Sequence, residues 1–149
     1  MKKTTAFWDA SALVPLCIHE AASGHAQSHL KRFAPVVWWG SLVEVHCAIC
    51  RLHREKQITD LDKEGAAARL QLLSRGWREI LPGDQARELA TQLLDKYSLR
   101  AAESVQLAAS LIWCEQRPSR STFICGDRRL AEAAESSGFS VLELPKAIP

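Results

Sequence analysis

The sequence predicts an α/β sandwich built around a mainly parallel sheet, and three observations carry that prediction. Short runs rich in β-branched and aromatic residues recur along the chain, and each is followed by one or two stretches with helical spacing of apolar residues. Helix-starting residues follow directly on the strand-like runs, as at Asp9 and at Gly40-Ser41. At 149 residues, the chain fits one domain that buries roughly 70% of its unfolded surface, and it shows no linker, internal repeat or low-complexity tract.

Thr4–Trp8 is the first strand, with Met1-Lys2-Lys3 leading straight into it. Asp9 takes an N-cap position for a helix from about Ser11, with Pro15 expected in an early turn. Ala21–Arg32 is a second helix, broken by Ala34-Pro35, and Val36–Trp39 is the second strand. Helices follow over Ser41–Lys56 and, capped by Thr59, over Asp60–Arg75. Trp77–Leu81 is the third strand, closed by Pro82-Gly83, and the helices Asp84–Tyr97 and Arg100–Glu115 come after it. A loop at Pro118–Ser121 leads to a fourth strand, Thr122–Cys125, a helix over Arg128–Ser136 and a last strand, Phe139–Leu142. In such folds the functional crevice lies beyond the carboxyl ends of the strands.

Bulk properties exclude several classes. Apolar residues make up 47% and charged residues 24%, the balance of an ordinary globular protein. No apolar run reaches the roughly 18 residues of a membrane span, and no signal-peptide cleavage pattern is seen, so a cytoplasmic location is expected. Five cysteines, an odd number within apolar segments, point to buried free thiols rather than a disulfide framework. A net charge of +2 permits nucleic-acid binding without advertising it.

Four carboxylates stand apart from the other acids. Asp9 is the only charged residue in Thr4–Ile18, Glu44 the only Asp, Glu, Lys or Arg in Val36–Cys50, and Glu103 the only one in Ala101–Cys114. Asp127 follows the fourth strand, whereas Asp60, Asp62 and Glu64 belong to a mixed-charge helical face. Each of the four has an ordinary explanation. Asp9 and Asp127 suit helix caps, Glu44 and Glu103 lie where a helix dipole favours an anion by about 0.3–1 kcal/mol, and any of them could pair with one of the 19 Lys and Arg residues. Joint placement favours more than this. Acids after the first, second and fourth strands can converge on one sheet edge, where mutual repulsion raises their pKa values unless a cation intervenes. Hard oxygen ligands select Mg²⁺ or Mn²⁺.

These positions carry a family resemblance. FWDASAL (Phe7–Leu13), SLVEV around Glu44, LRAAESVQLA (Leu99–Ala108) and FICGDRRL (Phe123–Leu130) resemble, in order, the motifs of PIN-domain ribonucleases. The nearest subgroup is the VapC-like toxins of bacterial toxin–antitoxin pairs, and the likeness spans Thr4–Leu142. It implies a PIN-like three-layer α/β/α sandwich over residues 1–149 and metal-dependent hydrolysis of RNA. It also implies a cognate antitoxin and a homodimer. Asp9 and Asp127 would be direct ligands of Mg²⁺ or Mn²⁺, with Glu44 and Glu103 as ligands or water-orienting bases. In three places this chain departs from the family pattern: Glu103 stands where Asp is usual, Cys125 where Thr or Ser is frequent, and Gln106 where His is common.

Ser11 would hydrogen-bond the metal shell or a phosphate at the first helix's N-terminus, or else simply its own backbone. Arg128 and Arg129 would contact RNA phosphates or brace the acids, or else lie solvated on a helix face. The low net charge points to recognition of RNA by shape at a single-stranded loop. The five tryptophans (Trp8, Trp38, Trp39, Trp77 and Trp113) fall mostly in strands or apolar helix, which favours core packing over base stacking.

Other readings fare worse. Cys47, Cys50 and His53 lie on one helix and span about 9 Å of rise, too far for one tetrahedral zinc. His25 and His29 lack a local third ligand. A haloacid-dehalogenase-like phosphatase needs a further acid and a lysine after Asp127, which Arg128-Arg129-Leu130-Ala131 does not supply. The remaining alternative is a catalytically decayed PIN module that acts by binding RNA or protein.

Overall fold

The computed structural model describes residues 3–146; Met1 and Lys2, read above as leading into the first strand, lie outside them. Five strands are present, β1 (Thr4–Trp8), β2 (Phe33–Trp38), β3 (Arg78–Ile80), β4 (Thr122–Cys125) and β5 (Ser140–Glu143). They form one sheet in the order β3-β2-β1-β4-β5, and every pairing is parallel. Seven α-helices connect them: α1 (Ala10–Cys17), α2 (Ser23–Arg32), α3 (Ser41–Arg54), α4 (Asp60–Gly76), α5 (Asp84–Lys96), α6 (Ala101–Trp113) and α7 (Arg128–Ser137).

The period-two alternation of the strands sorts the core into two layers. Ala6, Trp8, Val37 and Ile124 face α1–α4, where Leu13, Val45, Ile49 and Leu70 complete a buried cluster. Phe7, Val36 and Phe123 face the other way onto α5–α7, against Leu93, Leu107 and Leu130. On that side Phe7 stacks on Phe123 at 5.4 Å between ring centroids, and Phe123 meets Phe139 at 5.5 Å. The result is the three-layer α/β/α sandwich expected from the sequence.

One of two proline-containing segments differs from expectation. Pro35 lies inside β2, which begins at Phe33 rather than Val36. At Pro35 the strand pairs with Ala6 of β1 only, because the ladder to β3 starts at Val36, so the missing N–H costs nothing on the open side. Pro15 lies in the second turn of α1, in keeping with the early turn expected for it. Its ring nitrogen leaves the Ser11 carbonyl without the usual helical donor, and α1 ends two residues later.

The sheet order sets the position of the site. The chain moves outward from β1 through β2 to β3, then returns to the other side of β1 for β4 and β5. The direction of winding therefore switches beside β1, and this is where open α/β sheets bind ligands. Asp9 follows β1 and Asp127 follows β4 at this switch point, where the Asp9 N–H donates to the Ile124 carbonyl at 3.0 Å.

Candidate active site

Asp9 caps α1 through one oxygen. Its Oδ2 accepts from the Ser11 N–H at 3.2 Å and from the Ser11 hydroxyl. The Ser11 oxygen in turn accepts from the Gly126 N–H at 2.8 Å, which ties the turn after β4 to the first turn of α1. The approach at Gly126 is close: a Cβ there would lie 3.3 Å from the Ser11 carbonyl oxygen, so a larger residue would push the turn after β4 away from α1 by a few tenths of an ångström. Ser11 thus spends its hydroxyl on orienting Asp9.

Asp127 caps α7 in the same manner, with Oδ1 accepting from the Leu130 N–H at 3.1 Å. At its other end α7 stops at Gly138, whose φ of 112° is left-handed and open to glycine. Glu44, in the first turn of α3, is held from another helix. The Gln106 side chain on α6 donates from Nε2 to Glu44 Oε1 at 3.1 Å and to Ser41 Oγ at 3.0 Å.

Each of the three carboxylates therefore has one oxygen engaged. Among the described residues the second oxygen of each accepts no hydrogen bond, and none of the three forms an ion pair. Asp9 is only 4% exposed. Burial pushes its pKa up to about 7, and the negative charges of Glu44 and Asp127 push the same way against the lowering effect of its bonds to Ser11. Glu44 is also raised, by burial, with the Gln106 hydrogen bond opposing. Ion pairing with lysine or arginine is thereby removed as an account of these acids, and capping is shown for Asp9 and Asp127.

The donor chemistry of this set fits a hard divalent cation, because carboxylate oxygens share one field with no positive side chain paired to them. Among the described residues, no group of three or more His, Cys, Asp or Glu side chains is placed so that it could hold a metal ion. What the chain presents is a buried Asp9 that feels the charges of Glu44 and Asp127, rather than a finished coordination sphere.

Glu103 is placed differently. It sits in the first turn of α6, one helical turn before Gln106, and its Oε1 accepts from the Arg100 N–H at 2.7 Å. Its carboxylate is turned back on its own helix start, and its charge is not among those that perturb Asp9. Arg128 reaches away from the acids, pairing with Glu143 at 2.6 Å and Glu132 at 3.1 Å. Arg129 is exposed and forms no ion pair among the described residues. Cys125 is buried, its Sγ donates to the Asp127 carbonyl at 3.7 Å, and burial together with the Asp9 charge keeps it a neutral thiol.

Several expectations about single residues are corrected. All five cysteines are free, but Cys47 is exposed and Cys50 and Cys114 are half-buried, because the apolar segments holding them are amphipathic helices rather than wholly buried ones. Trp39 is 52% exposed, unlike buried Trp8 and Trp77, since it lies just past the end of β2 where the sheet's cover stops. His53 is taken by Asp60 at 2.6 Å, in keeping with the rejection of a zinc site on α3. Gln106 was visible in the sequence only as a motif departure; its link to Glu44 depends on α6 meeting α3.

No family model matches this sequence, and no curated protein matches it. Solved structures do. A chain from a structure titled a toxin–antitoxin complex from Klebsiella pneumoniae superposes with a TM-score of 0.59 at 16% identity, covering 85% of this chain and 91% of that one. The crystal structure of PAE2754 from Pyrobaculum aerophilum gives 0.58 at 18% identity, covering 93% and 89%. At these identities the likeness is one of fold, the three-layer α/β/α sandwich expected from the sequence.

Proposed function

We propose that this chain is a Mg²⁺- or Mn²⁺-dependent endoribonuclease that hydrolyses RNA phosphodiester bonds, and that it is the toxin of a toxin–antitoxin pair. One observation carries the reading: at the switch point of the sheet Asp9 is driven up to about 7 by burial and by the charges of Glu44 and Asp127, and none of the three is paired with a cation among the described residues. Uncompensated buried anions are costly. Such an arrangement is expected where a cation completes it. The toxin assignment draws on the motif resemblance and on the fold shared with the Klebsiella pneumoniae complex, which also support an antitoxin partner. A homodimer follows from the resemblance alone. No helix among the described residues is long and apolar enough to cross a membrane.

The free oxygens of Asp9, Asp127 and Glu44 would hold the ion, and Glu103 would join them on leaving its helix cap. A divalent ion there would supply Lewis acidity toward a phosphoryl oxygen and acidify a coordinated water. Ser11 and Gly126 fix the orientation of Asp9, while the backbone of α7 fixes Asp127, so neither carboxylate must be ordered on binding. Asp9 serves as a ligand only when ionised, so ion uptake and proton loss are linked near neutral pH. Arg129, exposed one residue beyond the Asp127 neighbour Arg128, is the arginine available to a phosphate.

The test is incubation of the purified chain with single-stranded RNA and Mg²⁺ or Mn²⁺. Cleavage is expected, lost in chelator and in Asp9→Asn and Asp127→Asn. Expression without antitoxin should arrest growth, and both variants should relieve it. Arrest that persists in both would overturn the catalytic account. One observation favours a second reading, a binding module with a decayed site: Glu103 is closed onto Arg100. That reading expects no cleavage with either ion and a phenotype indifferent to Asp9→Ala.

A further inference from the structure

Gln106 is the one buried side chain at the site whose chemistry is not absorbed by the nuclease reading. It is 1% exposed, and its two recorded bonds cross from α6 to residues 62 and 65 positions earlier, Glu44 and Ser41 of α3. Both use Nε2. The amide oxygen Oε1 is buried and has no partner among the described residues.

This lopsided pattern has a physical cause. A primary amide offers two donors on one end and an acceptor on the other. Turning it over would satisfy Oε1 through the Ser41 hydroxyl, but would set that oxygen against the Glu44 carboxylate, which can only accept. The presence of Glu44 therefore fixes which way the amide points, at the cost of an unsatisfied buried oxygen. Leucine would fill the same space between α3 and α6 with no such cost. The residue's polarity is spent on Glu44.

Resting on the nuclease reading above, we infer that Gln106 is a positioning residue: its amide clamps one oxygen of Glu44, with Ser41 as second anchor, so that the other oxygen is presented to the divalent ion. Gln106 itself touches neither ion nor RNA. Its contribution is orientation, made from a neighbouring helix, and it vanishes when Glu44 is removed.

The experiment measures Mn²⁺ affinity by titration calorimetry on the full chain without RNA, and kcat and KM on one cleavable single-stranded oligoribonucleotide. Gln106→Leu is expected to weaken Mn²⁺ binding and lower kcat by about 10- to 100-fold, the usual range for a partner of a metal ligand, with KM within twofold. Gln106→His, which returns one N–H donor at a similar reach, should recover most of the loss. In Glu44→Gln the further change Gln106→Leu should have no added effect, because the two act as one unit. Should Gln106→Leu fail to fold, Ser41→Ala carries the test, with a loss of the same kind but about two- to threefold.

Wild-type kcat and Mn²⁺ affinity in Gln106→Leu, or losses that multiply in the double variant, would overturn this inference while leaving the nuclease reading intact. A wild-type chain that neither binds Mn²⁺ nor cuts RNA overturns both.

Discussion

Asp9 and Asp62 are both carboxylates in capping interactions at helix N-termini, yet their acidities move in opposite directions. Asp62 accepts from the Thr59 N–H at 2.9 Å, and its own N–H donates to the Thr59 hydroxyl at 3.1 Å, closing the capping box of α4. Those bonds hold its pKa below the usual carboxylate value. Asp9 also receives a backbone and a hydroxyl hydrogen bond, but its pKa rises to about 7. Local hydrogen bonding is nearly the same at the two caps; burial and the neighbouring Glu44 and Asp127 charges are not. Capping alone explains Asp62. At Asp9 it leaves an electrostatic cost that helix formation does not require.

The largest expected effect concerns chemistry. Asp9→Asn preserves a good cap while deleting the charge, so it should lower RNA cleavage by more than about 100-fold, since even partners of metal ligands cost 10- to 100-fold. Asp62→Asn should leave cleavage unchanged. Rates measured on one oligoribonucleotide compare the two directly, and an active Asp9→Asn protein would erase the distinction.

Stability gives the next largest contrast, with opposite signs. The folded pKa of Asp9 lies above its ordinary 3.8, so the folded state binds more protons between about pH 4 and 7 and loses stability as pH rises through that window. A shift from 3.8 to about 7 corresponds to at most about 4 kcal/mol. Metal-free Asp9→Asn should therefore melt higher than wild type at pH 8, with the gain vanishing near pH 4. Mn²⁺ should raise the wild-type melting temperature at pH 8 and leave that of the variant little changed. For Asp62, whose pKa is lowered, stability is present above the ordinary value and lost as pH falls, so Asp62→Asn should flatten only the acid limb. Thermal melts from about pH 2 to 8 check both.

Glu103 tests the comparison from the middle, since it is a cap at a helix start near the site. Glutamine suits the same N3 position, so Glu103→Gln should keep the melting temperature while lowering cleavage about tenfold, less than Asp9→Asn does. Glu103→Ala should cost about 1 kcal/mol as well. Unchanged cleavage in Glu103→Gln would assign this acid to capping alone. The smallest effect is expected at Arg128, whose exposed pairs with Glu132 and Glu143 are screened by solvent and contribute little. Arg128→Ala should shift the melt slightly, whereas Arg129→Ala should raise the KM for RNA and reduce its salt dependence.

Much of the frame was legible in the chain because its causes are local. β1 and β4 were bounded correctly from their β-branched and aromatic runs, and Asp9, Thr59 and Asp127 announced the helices that follow them. The start of β2 was not legible. Proline ordinarily ends a strand, and only the one-sided ladder at Pro35 makes it harmless. Glu103 looked equivalent to Glu44 because both are lone acids in a first helical turn. The difference lies in a competition between the helix's own N–H groups and a neighbouring helix, and at Glu103 the local donor wins. Arg128 looked like a partner for the acids beside it, but β5 brings Glu143 within reach.

The sequence by itself determined the fold class, the alternation of strand and helix, and the isolation of four carboxylates at helix starts. Those features follow from periodicity, capping and composition, which act over a few residues. Tertiary structure decided which of the acids share a field. The return of the chain to the far side of β1 puts Asp127 near Asp9, and the reach of Gln106 from α6 to the first turn of α3 gives Glu44 its amide partner. Electrostatic repulsion and burial act across space rather than along the chain. The cost that marks Asp9 as more than a helix cap exists only once the sheet has brought its neighbours together.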